Sequence, residues 1–178
     1  MNGDGRARAD KRPRMGIARE ESVYRFEKRR IDATVTLSSG ESMRGCFFTA
    51  GDSSRHNGPE RVSDLLNAEA GFVPFEIHHE DGMRTVLYNR AHVVVVALDE
   101  NEAALDPGYG VATRRYVSIL LSNGQRVVGV VRVYRPEGRD RLSDWARQPE
   151  CFRYLETSDM ALLVNTAHIV DVSEVPES

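Results

Sequence analysis

Between Ala33 and Leu37 apolar and hydroxyl residues alternate, Ala-Thr-Val-Thr-Leu, and this two-residue period predicts a strand. Ser38-Ser39-Gly40 predicts a turn, and Ser42 to Thr49 a second strand. The succession returns later. "VSILLSNGQRVVG", from Val117 to Gly129, repeats "ATVTLSSGESMRG", from Ala33 to Gly45, with Ser122-Asn123-Gly124 as its turn and a second strand from Arg126 to Tyr134. Gly45 and Gly129 fall in mid-strand, where glycine marks a bend or a close backbone approach. Arg-x-Ser-Asp follows in both places and predicts a short helix. Ser63 and Ser143 are its expected N-caps, with Asp64 and Asp144 in the positive first turn. Arg61 and Arg141 are expected to pair with nearby acids or with the helix. Third strands start near Phe72 and Phe152, "HEDGM" and "TSD" are turns, and two last strands join at Asn89-Arg90 and Asn165-Thr166. The asparagines are expected to hold these turns through side-chain bonds to backbone. His92 and His168 then read as half-buried structural histidines in β-branched strands.

The matched blocks lie at offsets of 84, 80 and 76 residues, in the same order, and this collinearity reads as a tandem duplication. It divides the chain into a first repeat (23–98), a linker (99–112) that is acidic and aperiodic, and a second repeat (113–175), preceded by a basic arm (1–22). Five short strands and one short helix per repeat predict a mainly β protein of two small, strongly bent β-barrels in tandem. Val35, Leu37, Val86, Val94, Ile119, Leu121, Leu163 and Val170 are the expected core.

Charge changes the picture at the N-terminus. The net charge is −3, but residues 1–30 hold ten Lys/Arg against five acids, so a basic arm precedes an acidic body. The arm has little to bury, so disorder is expected. No run of about 18 apolar residues suggests a membrane span, and no apolar stretch behind the arm suggests a secretory signal, so the expected compartment is the cytoplasm. Cys46 and Cys151 are too few for a disulfide framework and are expected to pack as small apolar groups.

Two resemblances add expectations. "VSILLSNGQRVVGVV" with "MALLVNTAHIVDVSEVPES" resembles the bacterial Hfq branch of the Sm-like family, through Leu121, Asn123, Gly124, Gly129, Val164 and Ala167, and in the first repeat Leu37, Gly40, Gly45, Tyr88 and Ala91. The resemblance implies a small bent barrel that assembles through strand edges and binds RNA. The Lys-His pair by which that branch contacts RNA is absent, because the closing turns read Asn89-Arg90 and Asn165-Thr166. Arg90 is left to meet a phosphate. The repeat also looks like an uncharacterised bacterial domain bearing "R-L-S-D…F" and "V-N-x-x-H-I". Separately, "RFEKR" has the Arg-x-x-x-Arg spacing of PilZ domains, and "DSSRHNG", with one residue more, resembles their Asp-x-Ser-x-x-Gly. That resemblance implies cyclic di-GMP held by Arg25, Arg29, Asp52 and Ser54.

No phosphate loop, His-Glu-x-x-His or nucleophile elbow is present, and His78 to Asp81 reads as an exposed turn rather than a metal site. The chain therefore reads as a non-catalytic binding or assembly module with no cofactor and no metal. Its expected partner is a protein or a second copy of itself. The acidic body disfavours nucleic acid, although residues 113–172 hold nine Arg against seven acids. A dimer or internal pseudo-dimer is favoured over a full ring, because Asp171 stands where the first repeat has Val95.

Overall fold

The computed structural model describes residues 28–68, 71–99, 101–106, 108–136 and 138–177. The basic arm and Arg25 lie outside them. The elements are β1 (Lys28–Leu37), β2 (Ser42–Ala50), α1 (Val62–Leu66), β3 (Phe72–His79), β4 (Gly82–Asn89), β5 (Val93–Leu98), β6 (Thr113–Leu121), β7 (Arg126–Val133), α2 (Leu142–Ala146), β8 (Phe152–Glu156), β9 (Ala161–Asn165) and β10 (Ile169–Glu174). Single 3-10 turns, Arg90–His92 and Thr166–His168, join β4 to β5 and β9 to β10. No helix among the described residues is long and apolar enough to cross a membrane.

The strands form one antiparallel sheet in the order β10-β6-β7-β8-β9-β5-β1-β2-β3-β4, and the sheet is not closed. Its right half runs β5-β1-β2-β3-β4. Its left half runs β10-β6-β7-β8-β9, the same order of corresponding strands. The two halves meet where β5 pairs with β9, Val95 opposite Val164 and Val96 opposite Leu163. Two-residue alternation sets the pairing register. Ile31, Ala33 and Val35 point into one core, and Val117, Ile119 and Leu121 into the other. Gly40 and Gly124 take positive φ angles of 86° and 84° in the first hairpin of each half. Gly45 and Gly129 are required by close approach: a Cβ there would lie 2.0 Å from the Glu76 carbonyl oxygen and 2.4 Å from that of Glu156.

Several expectations are corrected. Ser63 and Ser143 are not N-caps. Each helix starts one residue after Arg61 or Arg141, so each serine is the second helical residue. The Asp64 and Asp144 carboxylates accept the backbone N–H of Arg61 and Arg141, at 2.9 and 3.1 Å. This satisfies a donor at the entry to the helix without a capping hydroxyl. Val170 is exposed rather than core, because the β10·β6 register shifts between Ile169 and Asp171 and β10 is an edge strand of the sheet. Leu37 and Val86 are half-buried, whereas the other five expected core residues are buried. Cys46 is buried as expected, but Cys151 is exposed. The aperiodic linker also packs: its 3-10 turn Glu102–Leu105 buries Glu102 and Ala103.

Candidate functional site: the seam and the cleft between the halves

The seam is more than a strand pair. Buried Asn165 uses all of its amide. Its Oδ1 accepts the Ala167 N–H at 3.1 Å, holding its own turn, while its Nδ2 donates across the seam to the carbonyls of Val93 (2.8 Å) and Arg90 (3.2 Å). His168 Nδ1 lies 2.7 Å from Ser122 Oγ, and its Nε2 lies 2.8 Å from the Ala91 carbonyl in the other half. Asn67 and Phe152 exchange two bonds, both 2.8 Å. Side chains cross as well. Phe152 and Leu163 complete the core of the first half, while Val94 and Val95 complete that of the second.

The same residues recur at the two free edges, uncovered. Phe72 is 61% exposed where its counterpart Phe152 is 3% exposed, and Leu87 is 61% exposed where Leu163 is 0%. Val170 is 63% exposed where Val94 is 0%. The local turn is unchanged. Asn89 Oδ1 accepts the Ala91 N–H at 3.0 Å, and His92 Nδ1 lies 3.1 Å from Ser38 Oγ. What β4 and β10 lack is the neighbouring half.

Beside the seam the halves enclose a cleft of about 520 Å³. One wall carries His56, Arg61 and Asp64. The other carries Arg132 from β7, Tyr134 just after it and Glu156 from β8. His56 Nε2 lies 2.8 Å from Asp64 Oδ2. Arg132 Nε donates to Glu156 Oε1 at 2.6 Å, and its guanidinium stacks 3.5 Å from the centre of the Tyr109 ring. The Tyr109 hydroxyl donates to Glu156 Oε2 at 2.5 Å. Partial burial pushes the Glu156 carboxyl up. The bonds from Arg132 and Tyr109, with the charge of Arg132, outweigh this and hold it below the ordinary carboxylate range. Burial, helped by Asp106, pushes the Tyr134 phenol up to about 12, so it is a neutral donor. Behind the cleft, Glu102 accepts from the Val62 N–H (2.9 Å) and the Tyr154 hydroxyl (3.3 Å), while its Oε1 has no hydrogen-bond partner among the described residues. Burial raises the pKa of this carboxyl.

The residues singled out in the sequence fall into separate places. Asn89, His92, Asn165 and His168 form the two corresponding turns, and the histidines sit in 3-10 turns rather than strands. Arg90 donates to the Leu65 carbonyl at 3.0 and 3.2 Å, tying its turn to the end of α1. Arg29 stands in β1 opposite Thr49, and Asp52 and Ser54 follow β2 in an exposed loop. Arg61 and Asp64 line the cleft, and Arg141 is exposed elsewhere. His78 and His79 are exposed at the end of β3, and no group of three or more metal-ligating side chains occurs among the described residues. The sequence reading missed the cleft, whose walls come from three distant segments. It also missed Ser38 and Ser122 as partners of the histidines, although both pairs recur at matched positions. No known family model matches this chain, and neither does any curated protein or solved structure.

Proposed function

We propose that this protein is a non-catalytic assembly module: two small, bent β-barrel units of one duplicated design, related to the Sm-like type, whose free edges bind further copies of the chain. The observation that carries the reading is the contrast at Phe72, Leu87 and Val170, exposed at the edges where Phe152, Leu163 and Val94 are buried at the seam.

The β5·β9 pair is the template. Carried to a second copy, β4 pairs antiparallel with its β10, Tyr88 opposite Asp171, Leu87 opposite Val172, Val86 opposite Ser173 and Thr85 opposite Glu174. Asn89 Nδ2 then reaches the carbonyls of Ile169 and Thr166, and His92 Nε2 that of Ala167, in the second copy. Asp171 is the element that opposes pairing, and the Arg126 guanidinium meets it at 3.3 Å through two nitrogens. The contact is head-to-tail, so it either closes into a ring or extends as a filament.

Light scattering on the purified full chain across a concentration series tests this. The expected result is a mass that is a multiple of the 20.0 kDa chain, reduced to one chain in Val170→Asp. That variant retains its circular dichroism spectrum because Val170 is exposed. A strictly monomeric wild-type protein at high micromolar concentration refutes the reading. Co-purified nucleic acid, seen in the absorbance ratio and removed by salt, would replace it with RNA binding.

A further inference from the structure

Arg61 is out of balance with its surroundings. Its side chain is largely buried, yet its nearest carboxylate oxygens, on Asp64 and Asp106, are both 3.7 Å away. That is too long for a hydrogen bond. Its Nε is fully shielded and has no hydrogen-bond partner among the described residues. A guanidinium stays charged, and two long ion pairs compensate a largely buried charge less well than direct hydrogen bonds would. The carboxylates on the cleft walls have closer partners of their own. Asp64 accepts from the Arg61 backbone and His56, Glu156 from Arg132 and Tyr109, and Asp106 from the Gly108 N–H at 2.8 Å.

The two halves supply an independent argument. Corresponding positions meet different surroundings, as Phe72 and Phe152 show, so a difference between them is informative where several differences collect in one place. Where the second half places Arg132, Arg135 and Arg153 along the cleft, the first half has Phe48, Gly51 and Val73. Arg153 is held by backbone carbonyls of Trp145, Gln148 and Glu150, with no carboxylate in contact. Arg141, the counterpart of Arg61, lines no such cleft and is exposed. Arginines thus outnumber carboxylates along this one cleft by five to four, and Arg61 meets its own two carboxylates only at ion-pair distance.

We propose that the cleft between the halves is a binding site for a small organic phosphate, with Arg61 taking the phosphate oxygens bidentately and Arg135 adding a second cation at the mouth. A planar fork of N–H donors matches two oxyanion oxygens. The partly exposed Tyr134 offers a ring face and a hydroxyl donor to the organic part. A cleft of about 520 Å³ is within the range of small-molecule sites. The site lies within one chain and does not depend on association between chains.

Inorganic pyrophosphate is the probe, titrated calorimetrically into the full-length protein at constant ionic strength. Saturable binding of one equivalent per chain is expected. Arg61→Gln should weaken it by about tenfold or more, while Arg141→Gln, the same change outside the cleft, leaves it intact. Arg135→Ala, at an exposed position, should weaken it several-fold without touching the fold, and serves if Arg61→Gln does not fold. Absence of saturable heat from the wild-type protein at millimolar pyrophosphate overturns the proposal. So does equal loss in Arg61→Gln and Arg141→Gln, which marks diffuse charge attraction, or unchanged binding in Arg135→Ala.

Discussion

Leu87 and Leu163 are the same residue at corresponding positions, and truncating each to alanine should give opposite results in two assays. Leu163 is fully buried at the seam in the first core. Its removal leaves a cavity between the halves, and Leu163→Ala should destabilise the chain by about 2–5 kcal/mol. Leu87 is 61% exposed in the single chain, so Leu87→Ala leaves most of its environment unchanged there. Its cost in urea unfolding of the dissociated chain should be under about 1 kcal/mol. Association is where Leu87 counts. Burying a whole leucine is worth about 1.5–3 kcal/mol, and covering the exposed three-fifths about 1–2 kcal/mol. Each edge contact should then weaken roughly five- to thirty-fold in Leu87→Ala. Sedimentation equilibrium over a concentration series reads that constant, and denaturant unfolding at low concentration reads the stability. If Leu87→Ala associates as tightly as the wild type, or if Leu163→Ala is as mild as Leu87→Ala in unfolding, the seam is not a template for the free edges.

The turn asparagines should differ in the same sense. Asn165→Ala removes three bonds, two of them across the seam, and should cost about 2–4 kcal/mol in urea unfolding, whereas Asn89→Ala should cost about 1 kcal/mol. Equal costs would show that the cross-seam bonds add nothing. Gly129→Ala forces a methyl group against the Glu156 carbonyl and should lower stability by more than about 3 kcal/mol, read as a fall in melting temperature; an unchanged melting temperature contradicts the close approach. Burial raises the pKa of Glu102 in the folded chain, so the native state holds its proton to higher pH than the unfolded state does. Stability is therefore greatest below the ordinary glutamate value and declines as pH rises through the shifted one. Glu102→Gln should remove that decline in urea titrations between acid and neutral pH. A variant with the wild-type slope would place the cause in another group.

The hairpins, the start of the third strands and the asparagine turns were legible in the sequence because each depends on neighbours within a few residues. The mid-strand glycines were legible by residue type alone, although the carbonyls that require them, of Glu76 and Glu156, lie on other strands. Val170 was misplaced because β10 carries the pattern of a covered strand while standing uncovered. Alternation reports that a face seeks burial, not which chain provides it. The caps were misplaced by two residues, since the backbone of Arg61 and Arg141 bonds to an aspartate three residues on, and a hydroxyl-based rule looks elsewhere. The linker read as structureless because Glu102 is ordered by Val62 and Tyr154, 40 and 52 residues away, and no local period encodes such a partner. Most of the cleft was hidden likewise: Arg61, Asp106 and Arg132 come to line one cleft only after β5 and β9 have paired.

That late pairing has a consequence during synthesis. Val95 and Val164 are 69 residues apart in the chain. At a translation rate of about 5–20 residues per second, the Val93–Val96 run waits roughly 3 to 14 s for its partner strand to be made. Four consecutive valines on an unpaired edge are the type of segment that recruits like segments from other nascent chains. Production of the isolated first half, ending before β9, should therefore yield aggregated material at temperatures where the whole chain is recovered soluble, and supplying the second half as a separate polypeptide during expression should rescue it.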